Sequence, residues 1–149
     1  SGLLKGGATM ENFDDLKVGL VHTLQKKVTI DDTALNYGSG KIQNLFATPK
    51  LVAFMVEASS QLMDPLLPEG FISIGHHVEV DHFKPTLLGA TVTIEVKIEK
   101  IENGKYTLSM RAYDEYGQIG RGNHTRSVVP YQRLMEKAEN REREPYPEE

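Results

Sequence analysis

The chain has 149 residues, 39% hydrophobic and 26% charged, which suits one soluble globular domain burying roughly two-thirds of the surface its unfolded chain exposes. Its formal charge of −4 argues against a nucleic-acid partner, which demands a basic stripe, and no apolar run approaches the ~20 residues that span a bilayer, so no membrane partner is expected either. With no cysteine, disulfides, thiolate metal sites and cysteine nucleophiles are excluded, and a cytoplasmic location is expected.

Residues 1–9, SGLLKGGAT, lack the long apolar core of a secretory signal and read as a linker or cloning remnant. A single domain is expected from residue 10 to 135. Asn12 to Lys17 favour a short helical turn, and Val21 to Ile30 a first strand. DDTALNYGSG (31–40) then reads as a loop from its aspartates, asparagine and glycines. Thr48 is a good N-cap, and Pro49 suits the first helical position because its missing N–H would be unpaired there anyway. The helix is expected to run to about Met63, closed by Pro65 and the turn LPEG.

Everything from Gly70 onward reads as strand. On the strand from Phe71, alternation puts Ile72, Ile74, His76, Val78, Val80 and His82 on one face. Residues 91–98 alternate strictly, with Val92, Ile94, Val96 and Ile98 on one side, and Tyr106, Leu108, Met110 and Ala112 repeat the pattern. Asn103-Gly104 between these runs is a strong hairpin signal, and DEYGQ (114–118) marks a second hairpin. In the last strand Gly120, Gly122, His124 and Arg126 share a face, and the glycines let that strand approach the helix closely. Residues 136–149, ending REREPYPEE, read as a charged, solvated, poorly ordered tail. One-sided apolar strands need a cover, and one apolar helix is available. The fold class is therefore α+β, a curved antiparallel β-sheet wrapped around one long central helix.

Several segments together resemble the fluoroacetyl-CoA-thioesterase-like family of hot-dog-fold proteins. They are YGSG (37–40), ATP (47–49), LPEG (67–70), IGHHVEVDHFKPTLLGATV (74–92) and IGRGNHTRSVV (119–129), so the likeness spans roughly residues 18 to 130. The resemblance implies hydrolysis of an acyl-CoA thioester, with CoA as part of the substrate and no separate cofactor. It also implies a homodimer, with a dimer of dimers as a further step. By position it implies Thr48 and His82 as catalytic residues and Arg126 as a substrate-binding residue. The family's glutamate stands eight residues after its threonine; here that position is Val56, and the carboxylate is Glu57, about 100° further around the helix.

Each residue has a plainer reading beside the functional one. A helical wheel puts Leu51, Val52, Met55, Ala58, Ser59 and Leu62 on the core side and Glu57 opposite, so Glu57 is either a solvated or dimer-rim residue or a carboxylate brought inward by a change in the helix start. His82 ends an apolar strand face beside the FKP bend, where it either transfers protons near neutral pH or closes the core edge. His76 reads as structural. Thr48 either caps the helix or, with the N-terminal amides, holds an oxyanion. Arg126, if buried, needs an anion: Glu57, substrate or a structural acid. Tyr37, Gly38 and Ser39 form a loop at the expected pocket edge and are candidate substrate contacts.

The sequence has no P-loop, no Rossmann glycine pattern, no HExxH and no nucleophile elbow, and its five histidines lack ligand spacing, so no metal is expected. The expected function is acyl-CoA thioester hydrolysis on a small or medium acyl group. The alternative is a non-catalytic hot-dog module that binds acyl-CoA or a similar apolar ligand.

Overall fold

The structure, a computed structural model, describes residues 13–146; the segment read as a linker and the last three residues of the tail lie outside that range. Its elements in chain order are β1 (Val21–Lys27), α1 (Thr48–Met63), β2 (Phe71–His82), β3 (Thr91–Glu102), β4 (Lys105–Asp114), β5 (Gly117–Pro130) and α2 (Tyr131–Arg143). The five strands form one antiparallel sheet in the order β1-β3-β4-β5-β2, so β1 and β2 are its edges.

Alternation in β3 and β4 aims Val92, Ile94, Val96, Ile98, Leu108, Met110 and Ala112 at α1, and all are buried. From α1 they meet Leu51, Phe54, Met55, Ala58, Leu62 and Met63, each full-sized side chain contributing about 1.5–3 kcal/mol of apolar burial. The β3–β4 hairpin closes on Asn103 and Gly104, both at positive φ (52° and 75°), as the asparagine-glycine pair foretells.

Four expectations need correction. The first strand ends at Lys27 rather than Ile30, because Asp32 reaches back to the Thr29 amide and hydroxyl and turns the chain into a short 3-10 helix over Ile30–Asp32. The helical turn expected from Asn12 to Lys17 is, within the described residues, a single turn closed by the Leu16 N–H on the Phe13 carbonyl. The C-terminal stretch is helical to Arg143; α2 buries none of its residues, and Arg141 and Arg143 in its last turn suit the helix dipole.

The fourth correction concerns β2. Its pairing with β5 slips between Gly75 and His77, so a bulge at His76 exchanges the two faces. Ser73 and Gly75 before the bulge, and Val78, Val80 and His82 after it, face the α1 side; Gly75 lies against His124 and Arg126, and Val80 packs on the core. Ile74 and His76 lie on the opposite side with Ser127, whose hydroxyl His76 contacts. His76 and His82 therefore do not share a face.

Of the β5 glycines, Gly120 brings the strand close to the helix, while Gly122 makes room for the neighbouring strand β2. A Cβ on Gly120 would stand 3.0 Å from Leu51 Cδ2 of α1. At Gly122 it would stand 2.2 Å from the Glu79 backbone oxygen, in an adjacent strand that cannot retreat without breaking pairing. Gly122→Ala is therefore expected to destabilise the fold by about 3 kcal/mol, the upper end of ordinary overpacking. Denaturant unfolding reads this directly, and an unchanged midpoint would show that β2 yields at no cost.

Candidate active site

The start of α1 is anchored on both sides. The Ala47 N–H bonds the Asp32 carbonyl at 2.9 Å, and the Phe46 N–H bonds the Thr86 carbonyl at 2.9 Å. Across from it, the Phe83 and Lys84 amides both donate to the Ile119 carbonyl, at 2.9 and 3.2 Å, which sets the bend that follows His82. Two segments far apart in sequence are thereby held face to face.

Between them Thr48 Oγ1 lies 2.8 Å from His82 Nδ1. Ala47, not Thr48, is the N-cap residue, and Thr48 is the first residue of the helix with Pro49 behind it. The hydroxyl expected to cap the helix is thus turned to histidine. The Lys50 and Leu51 amides return to the Ala47 carbonyl at 3.0 Å and Pro49 has no N–H, so the Thr48 N–H is left without a partner among the described residues. His82 Nε2 is buried and has no hydrogen-bond partner there either. Burial holds the His82 pKa below its ordinary value, against a smaller opposing effect of the Lys84 backbone, so the ring is neutral near pH 7. Its edge packs toward Phe46, with ring centroids 6.1 Å apart. The pair opens on a cavity of about 290 Å³ lined by Ile42, Leu45, Phe46, Thr48, His82 and Phe83, among others.

The other expected site residues lie elsewhere. Glu57 meets Lys26 Nζ of β1 at 2.7 Å and accepts from the Gln61 amide at 3.3 Å; Gln61 in turn contacts His22 of β1 at 2.9 Å. Phe54, Glu57 and Gln61 form one row along the β1 side of α1, with Lys26 also 5.0 Å from the Phe54 ring centroid. Val56, one residue earlier and about 100° away, lies on another flank and is half-buried. The offset seen in the sequence thus directs Glu57 to β1, and the structure does not bring it to Thr48 and His82.

Arg126 does not line this cavity. It is 4% exposed, and its guanidinium donates to the Ser73 hydroxyl (3.0 Å), the Ser73 carbonyl (2.8 Å) and His124 Nε2 (3.1 Å). The Ser73 hydroxyl donates to Asp64 Oδ1 at 2.6 Å, so a structural acid just past α1 provides the compensation. Along β2, Arg126 pairs with Gly75, seven residues from His82, which places it roughly 20 Å from the cavity. Tyr37, Gly38 and Ser39 are exposed, with Gly38 at φ 111°, and they do not line the cavity. The same loop system supplies Ala34 and Ile42 instead, which the sequence reading missed; their apolar side chains beside the YGSG turn were the available signal.

An antiparallel sheet wrapped on one helix, with a threonine-histidine pair at the helix start, defines a hot-dog-fold protein of the thioesterase type. The chain belongs to the fluoroacetyl-CoA-specific thioesterase family, whose model matches residues 28–132. It is 31% identical over 93 residues to the fluoroacetyl-CoA thioesterase of Streptantibioticus cattleyicolor, covering 62% of this chain and 67% of that protein. A hot-dog-like protein from Thermanaerovibrio acidaminovorans superposes with a TM-score of 0.82 at 31% identity, covering 88% of this chain and 97% of the other. A variant of the fluoroacetyl-CoA-specific thioesterase FlK in complex with fluoroacetate and CoA superposes with a TM-score of 0.75 at 27% identity, covering 80% and 99%. No helix among the described residues is long and apolar enough to cross a membrane.

Proposed function

We propose that this chain hydrolyses the thioester of a small or medium acyl-CoA, releasing the free acid and CoA. The observation that carries the reading is the Thr48–His82 contact, with His82 Nε2 left unbonded on a ring that lines the cavity. With Nδ1–H donated to the Thr48 hydroxyl, Nε2 carries the lone pair and is the ring position free to take a proton. A water attacks the carbonyl carbon and gives its proton to Nε2. The carbonyl oxygen takes the negative charge against the Thr48 N–H at the positive end of α1. When the tetrahedral intermediate collapses the C–S bond breaks, and His82 returns the proton to the CoA sulfur. The lining by Ile42, Leu45, Phe46 and Phe83 suits an apolar or fluorinated acyl group of modest size. CoA enters as part of the substrate, and a cytoplasmic site of action goes with that substrate.

We read the assembly as a homodimer. Among the described residues the outer edge of β2 is unpaired over Phe71–His82, and a strand that long with exposed Val78 is a template for a second copy.

Thiol release from a panel of short, branched and fluorinated acyl-CoAs tests the reading. Wild type is expected to turn over at least one of them. Glu57→Gln is expected to retain kcat within about twofold, because its exposed ion pair with Lys26 contributes only about 0.2–1 kcal/mol to stability and it does not reach the reacting atoms. A loss of a hundredfold or more in Glu57→Gln would instead give the carboxylate the role of base, reached through a second subunit. No hydrolysis of any acyl-CoA by wild type would leave a binding module.

A further inference from the structure

Coenzyme A is longer than the cavity at Thr48 and His82. Its thioester sits at one end of the pantetheine arm and an adenine nucleotide with three phosphate groups at the other, so the nucleotide must lie against another part of the surface. The cavity shares one wall, Lys84 and Pro85, with a second cleft of about 440 Å³ between the bend at residues 84–86 and the β4–β5 hairpin. That cleft is also lined by Asp114, Tyr116, Gly117 and Gln118. Its volume falls within the range of about 300–1,000 Å³ usual for small-molecule sites.

The chemistry of the cleft is specific. Asp114 is occupied on both oxygens: Oδ2 accepts from the Thr86 hydroxyl at 2.8 Å, and Oδ1 accepts from the Tyr116 N–H at 2.8 Å. These bonds fasten the bend to the hairpin, and they turn the carboxylate toward its own donors. Glu115 accepts from the Thr91 N–H at 3.0 Å. Lys84 is exposed on the shared ridge and pairs with no carboxylate among the described residues, so its ammonium is available to an anion crossing from one cavity to the other. Tyr116 is 94% exposed, yet its backbone is fixed in a two-residue turn by its bond to Asp114. A large aromatic ring with no packing role, held beside a cleft, offers a face on which a base can stack.

We propose that this cleft binds the nucleotide end of coenzyme A, with Lys84 on a phosphate group at the ridge and Tyr116 stacked on the adenine. The assignment rests on the thioesterase reading for its substrate. It is tested by calorimetric titration of free CoA and of pantetheine, which lacks the nucleotide, into wild type, Lys84→Ala and Tyr116→Ala, with acyl-CoA turnover measured on the same samples.

Wild type is expected to bind CoA more tightly than pantetheine. Each alanine variant is expected to weaken CoA about tenfold, the effect of losing one charged or stacking contact, while leaving pantetheine binding little changed. Lys84→Arg and Tyr116→Trp are expected to keep CoA affinity near the wild-type value, which a merely structural role for either residue does not predict. The proposal is overturned if wild type binds CoA no better than pantetheine, or if neither alanine variant alters CoA affinity. Turnover separates the two readings. Acyl-CoA hydrolysis with unaltered CoA affinity in both variants removes the nucleotide site and keeps the thioesterase. CoA affinity lost in both variants, with no hydrolysis by wild type, removes the thioesterase and keeps the site.

Discussion

Replacing His82 with alanine is expected to lower kcat for acyl-CoA hydrolysis roughly a hundred- to ten-thousand-fold, the span of a positioned general acid-base group. The size of the effect follows from the site's economy. Among the described residues no carboxylate lines the cavity, and Glu57 is held by Lys26, so no other side chain there takes a proton near neutral pH. The wild-type pH profile carries a second signature. The base works only when neutral, and burial lowers the His82 pKa from its ordinary 6.5. The acid limb of kcat/KM therefore lies below pH 6.5, and activity is level above it until another group titrates. A His82→Ala protein with native circular dichroism and near-wild-type turnover would place the base elsewhere.

How much of this was legible in the sequence depended on whether a residue's role is local or set by distant partners. β3 and β4 could be read because period-two alternation and an Asn-Gly turn are local signals, and tertiary packing agreed with them at the alternating apolar positions from Val92 to Ile98 and from Tyr106 to Ala112. The bulge at His76 could not. A single inserted residue leaves the composition of β2 unchanged, yet it moves Ile74 and His76 away from the side of His82. The helix shows the same division. Thr48 and Pro49 do mark its start, but which residue caps it depends on where Ala47 is tied, and that bond goes to Asp32. With the cap shifted by one, the Thr48 hydroxyl is free for a histidine thirty-four residues away. Phe54 lies outside the core stripe counted on the wheel and is nevertheless buried, because Phe46 lies 5.1 Å from it between ring centroids and extends the core toward β1. The polar row on that side, Lys26 to Glu57 and His22 to Gln61, joins β1 to α1 across a gap no periodicity reports. α2 was hidden by its charge: Tyr131, Leu134, Met135 and Ala138 recur at helical spacing, but the charged residues around them and the proline-broken end of the chain made the stretch read as a solvated tail.

A loss of stability as large as that of Gly122→Ala is expected at Arg126, because its three donors serve the Ser73 hydroxyl, the Ser73 carbonyl and His124 Nε2 together. Removing the guanidinium in Arg126→Met leaves the Ser73 carbonyl and His124 Nε2 without their donor, and leaves the half-buried Asp64 with only Ser73 for compensation. Losing these charge-assisted bonds is expected to destabilise the fold by about 3 kcal/mol, read as the shift in denaturant unfolding free energy, with the acyl-CoA reaction retained in the protein that remains folded. The same network fixes a pH dependence. His124 Nδ1 donates to the His77 carbonyl at 2.7 Å, and Nε2 accepts from Arg126, so the ring is neutral and both nitrogens are engaged. Desolvation by burial lowers its pKa from 6.5, and the positive charge of Arg126 adds to that, against the raising effect of the His77 carbonyl. Above 6.5 the histidine is neutral in both folded and unfolded chains and stability is flat. Below 6.5 the unfolded chain takes up the proton first, so stability falls with pH until the folded ring also protonates. His82 acts in the same direction, which is why the comparison must be made between variants. Arg126→Met removes one of the influences depressing the His124 pKa, so its stability should fall less steeply with acid than that of wild type, although it starts lower. Parallel slopes in the two proteins would mean that Arg126 does not set the titration of His124. An Arg126→Met chain as stable as wild type would mean that water takes over the buried acceptors.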